Sequence, residues 1–110
     1  MNLKIIPTPE FVKQVKKLAK NYKKIALDLE ELRDSLYKNP TFGTKLRYNC
    51  YKIRLANSSI PTGKSGGFRV IIYFIDAKNT IRLLSIYSKT EIDNISNKEI
   101  EDILHKNGLK

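Results

Sequence analysis

The chain has 110 residues, 41% of them apolar and 29% charged, which fits one globular domain and excludes both a disordered tail and a large multidomain enzyme. Its 21 Lys and Arg against 11 Asp and Glu leave a net charge of +10, the balance of a protein with a polyanionic partner. A single cysteine, Cys50, and a single histidine, His105, exclude a disulfide scaffold and a structural zinc site.

No stretch approaches the roughly 18 apolar residues of a membrane span, and residues 1–7 lack the apolar run and cleavage site of a signal peptide. A soluble cytoplasmic protein with no membrane association, metal or cofactor is expected.

Leu3, Ile5 and Ile6 fit a short first strand ended by Pro7. Thr8 and Pro9 then start a helix, Thr as N-cap and Pro at the first helical position, where its missing N–H is not needed. Phe11, Val15, Leu18 and Tyr22 set one apolar stripe, with six lysines largely off it. Ile25, Leu29, Leu32 and Leu36 repeat the spacing after a jump of phase. Two helices in an antiparallel hairpin account for the jump, and a single bent helix is the alternative. Asn39-Pro40 stops the second stripe.

From Tyr48 the period changes to two, with Tyr51, Ile53 and Leu55 on one face and Lys52 and Arg54 on the other. Residues 57–67 form a polar loop rich in Ser and Gly. Phe68-Arg69-Val70-Ile71-Ile72-Tyr73-Phe74-Ile75 is apolar on both faces apart from Arg69 and the Tyr73 hydroxyl, as a central strand requires. A turn over residues 76–79 returns the chain into a last strand over residues 80–89. Ser96 and Glu99 form a capping box for a final helix with Ile100, Ile103 and Leu104 on its apolar side, and Gly108 ends it. No linker, repeat or low-complexity tract divides residues 1–110, so they read as one α+β domain: a small, mostly antiparallel four-stranded sheet, an N-terminal helical hairpin and a C-terminal helix.

Charge is unevenly spread along this frame. Residues 1–24 carry +6 and residues 25–37 carry −3, while residues 76–110 balance to zero. Residues 38–75 hold Lys38, Lys45, Arg47, Lys52, Arg54, Lys64 and Arg69 without one acid, which makes this stretch the expected binding surface.

Gly63-Lys64-Ser65 imitates the end of a phosphate loop, but Ser58 stands where the first glycine belongs and a strand follows instead of a helix. A cationic loop is the better account, its glycines letting the backbone approach a ligand while Lys64 meets a phosphate. His105 reads as a helix-end residue and Cys50 as a small buried one.

The set that stands out is Lys52 and Arg54 on one strand, Arg69 on the central strand, and Tyr87, Lys89 and Glu91 at the end of the last. Residues 52 and 54 share a face, as do 87 and 89. If Arg69 joins them, three strands converge cations on one patch. An unpaired guanidinium in so apolar a run would cost several kcal/mol, so Arg69 must reach a carboxylate, Glu91 being a candidate, or a solvent cleft.

Tyr51-Lys52-Ile53-Arg54-Leu55, Gly63-Lys64-Ser65-Gly66-Gly67-Phe68-Arg69-Val70-Ile71-Ile72-Tyr73-Phe74 and Leu83-Leu84-Ser85-Ile86-Tyr87-Ser88-Lys89-Thr90-Glu91, followed by a capped helix, resemble in order and spacing the RelE/ParE superfamily of toxins from type II toxin–antitoxin modules. Within it the RelE and HigB-like branch is the most similar. The resemblance implies a small sheet backed by a helical hairpin and a metal-independent endoribonuclease that cuts mRNA on the ribosome, the substrate's own 2′-OH attacking the adjacent phosphorus. It also implies a cognate antitoxin partner.

Under that resemblance Arg54 and Arg69 clamp the scissile phosphate, since a guanidinium fork matches two phosphate oxygens. Lys45, Arg47, Lys52 and Lys64 hold flanking phosphates. Lys89 or Glu91 takes the 2′-OH proton, and Tyr87 donates a proton or stacks on a base. Where some members carry a histidine near the end of the last strand, this chain has Thr90, which leaves the acid–base assignment open. The ParE branch, which inhibits DNA gyrase, is the alternative, and a non-catalytic RNA- or ribosome-binding module is a third reading.

Overall fold

The computed structural model describes every residue except Met1, Thr62, Lys64 and Ser65. Its elements run β1 (Lys4–Pro7), α1 (Pro9–Leu18), α2 (Ile25–Lys38), β2 (Thr44–Lys45), β3 (Cys50–Leu55), β4 (Phe68–Ile75), β5 (Thr80–Ser88) and α3 (Asn97–Lys106). Among the described residues, five strands form one sheet in the order β1-β5-β4-β3-β2. β1 lies parallel to β5 and the other pairs are antiparallel.

The expected four-stranded sheet is therefore a mixed, five-stranded one. The missed strand, β2, has two residues, too few for a period of two to show. It joins β3 through a tight turn in which Tyr48 and Asn49 have φ of 60° and 61°. Leu46 N donates to Cys50 O at 2.8 Å and Cys50 N to Arg47 O at 3.1 Å. Two consecutive positive φ values are the mark of a type I′ hairpin, and they delay the start of the strand from Tyr48 to Cys50. Pro7 is the last residue of β1, opposite Leu83, and ends the strand as expected; an edge strand tolerates the missing N–H.

Thr8 ties helix to sheet. Its Oγ1 accepts from Phe11 N at 3.2 Å as the N-cap and donates to Leu83 O at 2.9 Å. Where β1 stops, Gln14 continues the cover of the β5 edge, its Oε1 accepting from Ile86 N at 2.8 Å and Ser85 Oγ at 3.2 Å. α1 closes at Leu18, one turn before the expected Tyr22, and residues 19–24 turn the chain into α2. The helices are separate, and they straddle an apolar cavity of about 350 Å³ between Val12, Val15, Leu29 and Leu36 instead of closing on each other along their length.

Each face of the sheet carries a core. Phe11, Ile25, Leu32 and Leu36 pack on Ile53, Leu55, Phe68, Val70, Ile72, Ile81, Leu83 and Ile86. On the other face Ile100, Ile103 and Leu104 of α3 cover Cys50, Ile71 and Leu84. Ser96 and Glu99 make the expected capping box, and Gly108 takes φ of 68° just past the helix. Among the described residues no helix is long and apolar enough to cross a membrane.

A β-bulge in the β4–β5 pairing decides which face the end of β5 presents. Ile72 faces Leu83 and Ile71 faces Ser85, leaving Leu84 without a partner on β4. The extra residue shifts the alternation of β5 by one. Ile81 and Leu83 before it, and Ile86 after it, all enter the α1/α2 core, and Tyr87 is turned to the α3 face.

Candidate functional site

Antiparallel partners directly opposite each other present their side chains on one face. Arg54 lies opposite Arg69, and Arg69 opposite Tyr87, so three adjacent strands line up a guanidinium, a guanidinium and a phenol on the face that carries α3. One step along β3, Lys52 lies opposite Ile71 on the same face. Opposed side chains in such a ladder stand about 5 Å apart at Cβ. Like charges at that separation destabilise an ordinary sheet, and an anion bound between them offsets the cost.

The row grades from open to enclosed. Arg54 is exposed and Lys52 half-buried, whereas Arg69 and Tyr87 retain 7% and 4% of their surface. Arg69 donates from Nη1 to Phe68 O at 3.2 Å. Burial pushes the Tyr87 hydroxyl above its ordinary pKa, and the neighbouring Arg69 charge pulls it part of the way back. At neutral pH Tyr87 is therefore a phenol and a hydrogen-bond donor.

The segment after β5 folds back over this row. Asn94 Oδ1 accepts from Lys52 Nζ at 3.2 Å and from Tyr87 Oη at 3.4 Å. Lys89, half-buried just past β5, donates to Asp93 O at 2.6 Å and to Asp93 Oδ1 at 3.0 Å. Glu91 turns elsewhere: its Oε2 accepts from Tyr22 Oη at 2.7 Å, and the Tyr22 ring packs edge-on against Phe68 at 5.6 Å, in the core of the opposite face. A cavity of about 310 Å³ with mixed polar and apolar walls opens at the β5 edge among Gln14, Lys17, Ile92, Tyr87, Glu91 and Asn94, so Glu91 reaches the region from its rim.

Of the residues singled out in the sequence, the structure brings Lys52, Arg54, Arg69, Tyr87 and Lys89 together, with Glu91 at the margin. It does not bring in Lys45, which lies opposite Tyr51 and so faces the α1/α2 side, or Arg47, exposed in the β2–β3 turn at the far end of β3 from Arg54. Lys64 lies outside the described residues. Gly67 is explained by the fold: a Cβ there would stand 2.3 Å from Leu55 O, so it is the β3 backbone, not a ligand, that needs the glycine.

The residues missed were Asp93 and Asn94. Neither lies in a periodic segment, and the 42-residue separation between Asn94 and Lys52 leaves no local signal. Cys50 is fully buried and burial lifts its thiol to about 12, too high for thiolate chemistry.

Two adjacent guanidiniums, a phenol donor and flanking ammonium groups form a set of donors suited to a phosphodiester.

No family model matches the chain. Its fold, by contrast, matches solved structures of the E. coli toxin RelE. A double Arg→Ala mutant of that toxin in the free state aligns with a TM-score of 0.60 at 18% identity, covering 96% of this chain and 98% of that one. The same mutant in complex with an antitoxin RelBc peptide aligns at 0.59 and 17% identity, covering 100% and 97%. The intact RelBE toxin–antitoxin complex provides a chain aligning at 0.58 and 22% identity, covering 79% and 96%. At these identities the likeness establishes a RelE-like fold.

Proposed function

We propose that this protein, as a single domain over residues 1–110, is the toxin of a type II toxin–antitoxin module and a ribosome-dependent, metal-independent mRNA endonuclease of the RelE and HigB-like kind, acting in the cytoplasm. The observation that carries the reading is the row Arg54–Arg69–Tyr87 across β3, β4 and β5, flanked by Lys52 and Lys89. The RelE-like fold supports it, and the RelE structures with bound antitoxin support a cognate antitoxin as partner.

In this mechanism the 2′-oxygen of the mRNA attacks the adjacent phosphorus, the bond to the 5′-oxygen breaks, and a cyclic phosphate remains on the upstream fragment. Arg69 and Arg54 bind the non-bridging oxygens, whose negative charge grows in the pentavalent transition state, and a preorganised, largely buried guanidinium is most effective against that charge. Tyr87, held protonated by burial, donates its proton to the leaving 5′-oxygen. Glu91 takes the 2′-OH proton from the rim of the cavity, or Lys89 does so as the neutral amine, once it has left Asp93 and given its own extra proton to solvent. Lys52 holds a flanking phosphate, and Lys64 another. Lys45 and Arg47, away from the row, meet RNA farther along the strand.

The test is to induce the wild type and the Arg69→Ala, Lys89→Ala and Glu91→Ala variants in a bacterial host and map the 5′ ends of a translated and an untranslated copy of one mRNA. Cuts confined to the translated copy, and lost with Arg69→Ala, are expected. Growth arrest with intact mRNA would sink the nuclease and favour gyrase inhibition, and RNA binding without either effect would leave a binding module.

A further inference from the structure

We infer that the segment 90–95 is an internal occupant of the phosphate site, with Asn94 Oδ1 standing where a phosphate oxygen binds, so that RNA must lift this segment to enter. The inference rests on the proposed nuclease function for the identity of the ligand. Its geometry is independent of that function.

Lys52 and Tyr87 belong to β3 and β5, the two strands that flank β4, yet both donate to the same oxygen of Asn94, at 3.2 and 3.4 Å. Donors from separate strands converging on one acceptor are how a protein holds a phosphate oxygen. An amide oxygen is the weaker ligand for such donors, since hydrogen bonds to an ionised acceptor are roughly twice as strong. Lys89 is occupied in parallel by the carbonyl and the carboxylate of Asp93. The segment thus brings one carboxylate and two neutral oxygens to the cations that an RNA backbone would use.

The hold is weak enough to yield. The Asp93 side chain is fully exposed, and pairs in such a setting contribute little. Glu91 N and Ile92 N share Ser88 O as acceptor, at 3.1 and 2.9 Å, and every residue from Thr90 to Asn94 is exposed, with only Ile95 partly buried. A short stretch with few buried contacts opens at low free energy. The apparent dissociation constant of a ligand rises in inverse proportion to the open fraction, so a segment closed about nine-tenths of the time weakens RNA binding about tenfold.

The probe is a fluorescein-labelled single-stranded RNA with 2′-O-methyl groups throughout, which lacks the nucleophile and stays intact. Fluorescence anisotropy with the wild type and Asn94→Ala, a substitution that leaves the net charge unchanged, should show tightening of about threefold to tenfold. Equal or weaker binding by Asn94→Ala overturns the inference, because a residue that merely organised Lys52 and Tyr87 for RNA would lose affinity when removed. In the wild type, saturating RNA should speed hydrogen exchange at the Glu91 and Ile92 amides, and unchanged or slower exchange overturns it as well. The nuclease and the occupant fail separately. A protein that cuts translated mRNA without tightening in Asn94→Ala keeps its nuclease and loses the occupant, tightening without any cleavage does the reverse, and no binding by either form overturns both.

Discussion

On one face of the sheet β4 presents Phe68, Val70, Ile72 and Phe74, all buried in a continuous apolar core under α1 and α2; on the other it presents Arg69, Ile71 and Tyr73, and only Ile71 is fully covered by α3. The same eight residues therefore build a fold on one side and, on the other, a boundary where apolar cover stops and cations begin. α3 reaches Cys50, Ile71 and Leu84 and leaves the neighbouring row Arg54–Arg69–Tyr87 to be crossed by the exposed segment that comes after β5. A pleat that must fill both faces for stability would not set two arginines opposite each other. The contrast sets a face filled by packing against a row in which two arginines stand opposite each other, and the proposed function rests on that row.

Exchanging the two arginines of that row for small residues should give the largest effect. Arg69→Ala is expected to lower the rate of mRNA cleavage by about a hundredfold to a thousandfold, the loss typical for removing one donor that stabilises transition-state charge, with Arg54→Ala, at the exposed end, costing less. Quantified primer extension on the translated mRNA measures both. Equal, small losses would mean that the row is merely cationic surface.

The sequence made this row legible only in part. The period of two over Lys52 and Arg54, and the lone arginine within an apolar β4, were sufficient to name its residues. That Tyr87 faces Arg69 depended on the bulge at Leu84, since a regular strand holding Leu83 in the α1/α2 core would have placed Tyr87 there too. β2 was too short to show a period, and its hairpin places Tyr48 where Asn or Gly is the usual signal of positive φ. The helices were legible almost to their ends, α1 and α2 from a four-three-four spacing and α1 and α3 from the caps Thr8 and Ser96, because those signals are local. Asn94 was invisible for the opposite reason: its partners are on β3 and β5.

On the packed face the expected loss is in stability and not in rate. Ile72 is fully buried between the helices and the sheet, and Ile72→Ala should cost about 2–5 kcal/mol in urea unfolding, while the fraction that remains folded cleaves mRNA at the normal rate. A reduced rate in the folded fraction would show that the two faces are coupled.

The covered half of the α3 face can be separated from the open half by pH. The Cys50 thiol rises from an ordinary 9.0 to about 12 on burial, so between these values the unfolded chain loses its proton while the folded one keeps it. Stability is fully present below about pH 9 and falls as pH climbs toward 12, at no more than about 1.4 kcal/mol per pH unit from this group. Tyr87 acts in the same direction from its own ordinary value of 10.0 upward. Urea midpoints measured from pH 8 upward should fall, and Cys50→Ala should flatten most of the early part of the fall while Tyr87→Phe alters only the later part. A profile unchanged by Cys50→Ala would mean that water reaches the thiol beneath α3.

The smallest effect is expected at the seam between the halves. Ser96 Oγ accepts from Glu99 N at 3.1 Å, and Glu99 Oε1 accepts from Ser96 N at 3.3 Å, closing the first turn of α3 where the exposed segment ends. Both residues are exposed, so water replaces much of what Ser96→Ala removes, and the expected cost is about 1 kcal/mol. Ile100, one turn on and 3% exposed, has no such substitute, and Ile100→Ala should cost about 2–5 kcal/mol. If the two variants lose equal stability in urea, α3 is held on the sheet by its cap and not by its apolar side, and the division of this face into a packed half and a working half would have to be redrawn at Ser96.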